Sequence, residues 1–102
     1  MSKRKISILG VCGSGTVSST MLAARVESIL EEIDIKVNAV GVMPQMVQEY
    51  VDRGGVDLVV TTSPIPGDIK IPVIKGVPLL TGIGEEECIE EIINAVNKIL
   101  EE

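Results

Sequence analysis

Residues 5–11 (K-I-S-I-L-G-V) form a short, nearly continuous apolar run, the pattern of a strand buried on both faces. Residues 12–20 (C-G-S-G-T-V-S-S-T) read as a glycine- and hydroxyl-rich turn. Beyond it Leu22, Val26, Ile29, Leu30 and Ile33 recur at three- and four-residue steps, which predicts a helix with one apolar face. Residues 35–40 are a second strand. Pro44 suits a first helical turn, and Met46, Val47, Tyr50 and Val51 give that short helix its inward side until Gly54 and Gly55 end it. Residues 57–62 (D-L-V-V-T-T) are a third strand, and residues 63–70, with Pro64, Pro66 and Gly67, must be a loop. Residues 71–74 are a short fourth strand, with Pro72 marking a sheet edge. Another loop runs through Pro78, Gly82 and Gly84. The last helix starts near Glu85, where acidic side chains suit the amino end, and turns Ile89, Ile92, Ile93, Val96, Ile99 and Leu100 inward.

Strands alternating with helices specify an α/β fold: a parallel sheet covered on both faces, with right-handed crossovers. In such a fold the first strand-to-helix turn lies at the carboxyl edge of the sheet, where ligands bind. The third strand would bring Thr61, Thr62 and Ser63 close to that turn, where they support it, meet a partner or simply end the strand. No linker, repeat or low-complexity tract interrupts the 102 residues, so residues 1–102 are expected to form a single domain.

Composition narrows the chemistry. Hydrophobic residues make up 45%, almost all Ile, Val, Leu, Met and Ala, with one Tyr and no Phe or Trp. The formal net charge of −6, with no patch mixing basic and aromatic residues, weighs against nucleic acid as a partner. No apolar run reaches the roughly 18 residues of a spanning helix, and the start lacks a secretory h-region. Cys12 and Cys88 are too few for a disulfide framework and lack metal-ligand spacing, which suggests a reducing, cytoplasmic setting. Histidine is absent, so the usual hydrolase triads and most zinc sites are excluded.

The first turn carries the candidate chemistry. Gly13 and Gly15 let backbone N–H groups converge, and the following helix adds its own unpaired N–H groups, an anion cradle. Ser14, Thr16, Ser18, Ser19 and Thr20 add hydroxyls, and one of Ser18, Ser19 or Thr20 is expected to cap the helix. A cysteine at the mouth of this cradle should ionise below its reference of about 8.5 and face a tetrahedral dianion, the arrangement a thiophosphate intermediate needs. The plainer alternative makes Cys12 a small buried hydrophobe at a strand end. There is no Walker sequence, no third glycine of a dinucleotide fingerprint and no C-x-x-C. A cysteine phosphatase needs arginine at the sixth position after the cysteine, which is Ser18, and an acid, for which only Asp68 offers itself. Carrying a phosphoryl group therefore fits better than releasing it to water, with a phosphatase and a non-catalytic anion-binding domain as the competing classes.

The chain resembles the galactitol-type IIB component of the bacterial phosphoenolpyruvate-dependent sugar phosphotransferase system (PTS). The likeness is carried by the opening K-R-K-I and its strand, the loop C-G-S-G-T-V-S-S-T-M, T-T at Thr61 and Thr62, and I-P-V-I-K-G-V-P-L-L-T-G-I-G over residues 71–84. Galactitol-type loops often have Ala and Thr where this chain has Val17 and Ser18, and residues 63–70 look individual. The resemblance implies a Rossmann-like three-layer α/β/α sandwich with a four-stranded parallel sheet in the order 2-1-3-4. It implies a cytoplasmic EIIB phosphoprotein that works transiently at the inner face of the membrane. Its cysteine takes a phosphoryl group from phosphohistidine on IIA and passes it to a polyol or sugar held by the membrane permease IIC. Carried over residue by residue, Cys12 is the phosphorylated residue and Gly13, Ser14, Gly15, Thr16, Val17, Ser18, Ser19 and Thr20 are the phosphate loop. No metal or organic cofactor is expected.

Overall fold

A computed structural model describes residues 5–13, 16–65, 67 and 69–101. Strands β1 (Ile6–Val11), β2 (Val37–Val42), β3 (Leu58–Thr61) and β4 (Val73–Lys75) pair in parallel in the order β2-β1-β3-β4, the order expected. Helices α1 (Thr16–Glu31), α2 (Val47–Arg53), α3 (Val77–Thr81) and α4 (Glu85–Glu101) follow the chain between and after them, with a 3-10 turn at Pro44–Met46 leading into α2. The result is a three-layer α/β/α sandwich.

The two central strands are buried along nearly their whole length, as paired strands covered on both faces must be. Side-chain alternation then sorts the core into two unequal halves. On one face Ile6, Ile8, Leu58 and Val60 pack with Leu22, Val26 and Leu30 of α1 and with Ile92 and Val96 of α4. On the other face Leu9, Val11, Val42 and Val59 meet Val47 of the short α2, and the cover is completed by half-buried Tyr50, Val51, Ile65, Ile69 and Ile71. The segment between β3 and β4 is thus a loop by its prolines and a core layer by its isoleucines.

Helix α1 lies unusually close to the sheet at its amino end. A Cβ on Gly41 of β2 would fall 2.5 Å from the Thr20 nitrogen, and one on Gly10 of β1 would fall 2.9 Å from the Ala23 nitrogen. Both distances are far inside van der Waals contact, so only glycine admits the helix there. Close seating aims the start of α1 at the carboxyl end of β1.

Several expectations are corrected. α1 begins at Thr16, so residues 16–20 are helix and not turn, and Ser18, Ser19 and Thr20 lie inside it and do not cap it. Ile33 falls beyond the helix and is exposed, because Asp34 adopts a left-handed φ of 62° and the Ile35 N–H closes back onto the Leu30 carbonyl. That turn consumes Ile35 and Lys36, so β2 runs two residues later than the 35–40 expected. Met46 is exposed in the 3-10 turn, not on the inner side of α2. β4 spans Val73–Lys75, later than residues 71–74. The region expected as a second loop contains α3, in which Leu79 is buried, Pro78 sits in the first turn where its missing N–H costs nothing, and Gly82 at φ 81° ends the helix.

Cys88 belongs to the core. It is 3% exposed, and its thiol donates to the Lys75 carbonyl at 3.3 Å, joining α4 to the end of β4. Burial pushes the thiol above its ordinary 9.0, and the carboxylates of Glu91 and then Glu85 add to the rise. On the neighbouring surface Glu85 also pairs with Arg25 of α1, an exposed contact of small energetic weight.

Two outcomes test this packing. Gly41→Ala forces α1 away from β2 and should cost about 1–3 kcal/mol by denaturant titration, whereas Val40→Thr on the exposed neighbouring position should stay within about 0.5 kcal/mol. Above pH 9 the unfolded Cys88 thiol releases its proton while the folded one keeps it, so stability is unaffected by this group below that pH and falls above it. Wild-type stability measured from pH 8 to 10 should therefore fall more steeply than that of Cys88→Ala.

Candidate functional site

The parallel register places the carboxyl ends of all four strands along one edge of the sheet. Val11 pairs with Val42 on one side and Thr61 on the other, and Thr61 pairs in turn with Lys75. Cys12 directly follows β1, and α1 starts four residues after it. The first N–H groups of α1 lack intrahelical partners and carry the positive end of the helix dipole, so Cys12 precedes an anion-favouring helix end by four residues.

Cys12 is 5% exposed and, like Cys88, stands outside any disulfide. Gly13 beside it is exposed. Its N–H donates to Ser63 Oγ at 2.8 Å, across a sequence separation of 50 residues. The segment after β3 is tied down to make this contact. Thr62 N–H donates to the Val11 carbonyl at 2.9 Å, extending the ladder one step past the strands. Buried Thr61 donates its hydroxyl to the Ser63 carbonyl at 2.7 Å and accepts the Ser63 N–H at 3.1 Å. Thr61, Thr62 and Ser63 therefore do more than end a strand: they clamp the exit of β1 on which Cys12 sits.

Of the sequence-expected loop, Ser14 and Gly15 lie outside the described residues, as does Asp68, the one acid considered for a hydrolase. Thr16 and Val17 contribute the first helical backbone of α1. Ser18 is half-buried, Ser19 is fully buried beneath the sheet-facing side of α1 and Thr20 is exposed. The three hydroxyls thus point to different environments and do not line one cradle.

An open cavity of about 650 Å³ adjoins the clamp and is lined by Thr62, Ser63, Ile65, Ile69, Val73 and Lys75 among others. It combines hydroxyls and one ammonium with an apolar wall. Among the described residues, no group of three His, Cys, Asp or Glu converges as a metal site requires, and no helix is long and apolar enough to cross a membrane.

Sequence reasoning missed Gly10 and Gly41, whose distant partners on α1 give no local signal. It flagged Ser63 only as one of three hydroxyls at a strand end; its contact with Gly13 depends on the β1–β3 register.

Comparison with known proteins bears on this arrangement. The model of the family described as PTS system, Lactose/Cellobiose specific IIB subunit, matches residues 7–91, from β1 into α4. The galactitol-specific EIIB component of Escherichia coli (strain K12) is 32% identical over 94 residues, covering 89% of this chain and 94% of that protein. The galactitol-specific EIIB component of Shigella flexneri is 31% identical over the same length and coverage. A thiol at the end of the first strand of a four-stranded parallel sheet, and relatives of this kind along nearly its full length, agree with one another: the chain belongs to the IIB family of the PTS and is a phosphotransferase component working between IIA and IIC.

Proposed function

We propose that Cys12 is the phosphoryl carrier of this IIB protein, and that the final acceptor is a polyol of the galactitol kind. The observation that carries the reading is the place of Cys12, directly after β1 and four residues ahead of the amino end of α1. A dianion on its sulfur would lie against backbone N–H groups and the positive end of a 16-residue helix.

The chemistry follows from that position. The Cys12 thiolate attacks phosphorus in line; the S–P bond forms as the P–N bond of phosphohistidine on IIA breaks, its electron pair returning to the imidazole. Over the whole step the thiol proton ends on that imidazole. N–H groups of the loop after Gly13 and of the first turn of α1 hold the phosphoryl oxygens as charge redistributes, which is stabilisation by fixed dipoles. In the second transfer a substrate hydroxyl attacks phosphorus, the S–P bond breaks, and the hydroxyl proton passes to a base on the IIC side. The phosphate loop in this reading is Gly13, Ser14 and Gly15 with the first-turn backbone of Thr16 to Ser18. The Ser19 and Thr20 amides are engaged within α1, and the buried side chain of Ser19 acts in packing.

The family description names lactose and cellobiose, whereas the relatives reported above are galactitol-specific. Their coverage of nearly the full chain supports a hexitol over a disaccharide. The contacts that choose the substrate belong to IIC, and the contribution of this chain is the thiol and its cradle.

Incubation with phosphoenolpyruvate, the general PTS proteins and a matching IIA should add one phosphoryl group, read by intact mass. The adduct should vanish in Cys12→Ser and persist in Cys88→Ala. Wild-type protein that stays unmodified with its matching IIA, or an adduct that survives Cys12→Ser, would refute the assignment.

A further inference from the structure

The Gly13 N–H, the first amide after the proposed nucleophile, is already engaged by a side chain from the segment that follows β3. Its acceptor, Ser63 Oγ, lies 2.8 Å away. Ser63 itself is held from three directions. The Thr62 N–H fixes the preceding residue to the Val11 carbonyl, and the Thr61 hydroxyl bonds both the carbonyl and the N–H of Ser63. A serine hydroxyl has one proton to give and two lone pairs with which to accept. Here one lone pair takes the Gly13 N–H, and among the described residues the Ser63 hydroxyl donates to no acceptor. The side chain is half-buried and lines the open cavity beside the clamp, so an arriving group can reach it.

We propose that Ser63 is a phosphoryl-binding residue of the Cys12 site, relaying the Gly13 amide: it accepts the Gly13 N–H and donates its own proton in a hydrogen bond to a phosphoryl oxygen carried on Cys12. The inference rests on the assignment of Cys12 as the phosphorylated residue. Accepting a hydrogen bond polarises the hydroxyl and makes it a better donor, and a dianionic acceptor strengthens the bond it makes. Ser63 keeps its proton throughout, so the bonds made and broken remain S–P and P–N. The relay extends the reach of a backbone dipole by one hydroxyl, and it makes the exit of β3 part of the phosphate site.

A competing geometry gives the opposite sign. If the phosphoryl oxygen took the Gly13 N–H directly, Ser63 would be an obstacle to displace, and removing its hydroxyl would speed phosphorylation. The experiment compares wild type, Ser63→Ala, Ser63→Thr and Ser63→Val, each phosphorylated by phospho-IIA in rapid-quench mixing with intact-mass readout. Ser63→Ala should be slowed by about tenfold or more, the scale expected when a hydrogen bond to a charged group is lost. Ser63→Thr should stay within about threefold of wild type, because it keeps the hydroxyl. Ser63→Val, of the same shape as threonine without the hydroxyl, should be slowed like alanine, and the Thr–Val pair carries the test if the alanine variant fails to fold. A phosphorus NMR titration supplies a readout that a structural role would not move: losing the donor should raise the second pKa of the phosphocysteine in Ser63→Ala and Ser63→Val but not in Ser63→Thr. Rates at or above wild type in the hydroxyl-free variants, or an unchanged phosphoryl titration, overturn the relay while leaving Cys12 as carrier. An unmodified wild-type Cys12 removes both.

Discussion

The parallel pairing of β1 with β3 is the constraint on which the rest of this protein depends. Val11 opposite Thr61 brings two chain exits to the same point on the sheet edge, and the Thr62 N–H to Val11 carbonyl bond carries the ladder past both strands. Everything distinctive about the surroundings of Cys12 follows from that convergence. The hydroxyl cluster of residues 61–63 reaches the loop because its strand is in register, and the cavity beside it opens where the strands stop. A shift of one residue would send Thr61 to the other face and break the clamp.

The second constraint is the seating of α1. Gly10 and Gly41 remove the side chains that would hold the helix off, so its amino end comes down onto β1 and β2 near the exit of Cys12. A helix dipole acts mainly over its terminal turn, so these distances govern how strongly its end can act on an anion. The same seating buries Ser19 completely. Stability and electrostatics are therefore set by one contact, between helix backbone and glycine.

Most of the architecture was legible in the sequence because it depends on local pattern. Apolar runs of strand length alternated with three- and four-residue periodicity, and Gly54 ended α2 as expected, while Pro72 fell just ahead of the edge strand β4 and not within it. Misreadings occurred where long-range packing decides the outcome. The hydroxyl run of residues 16–20 looks like a turn, yet its backbone is helical because Leu22, Val26 and Leu30 draw α1 onto the sheet. A five-residue helix around Leu79 has too few turns to show a period. Ile33 and Met46 fit a helical face in sequence but fall at helix ends, where the chain turns away from the core. Cys12 could be singled out from its neighbours alone, whereas its Ser63 neighbourhood required knowing which strands are adjacent.

The uneven covering of the sheet has a consequence for how such a protein can change over time. One face rests under two long helices, but the other is closed by short α2 and by Ile65, Ile69 and Ile71 from the segment between β3 and β4. Ile65 and Ile69 also form the wall of the cavity next to the proposed phosphate site. A lineage adapting that wall to a new partner is therefore editing its own thinner core, and each change in recognition is first filtered by folding. Diversification should proceed there through compensated pairs, an apolar volume lost at one isoleucine and regained at another, while the thickly covered face drifts independently.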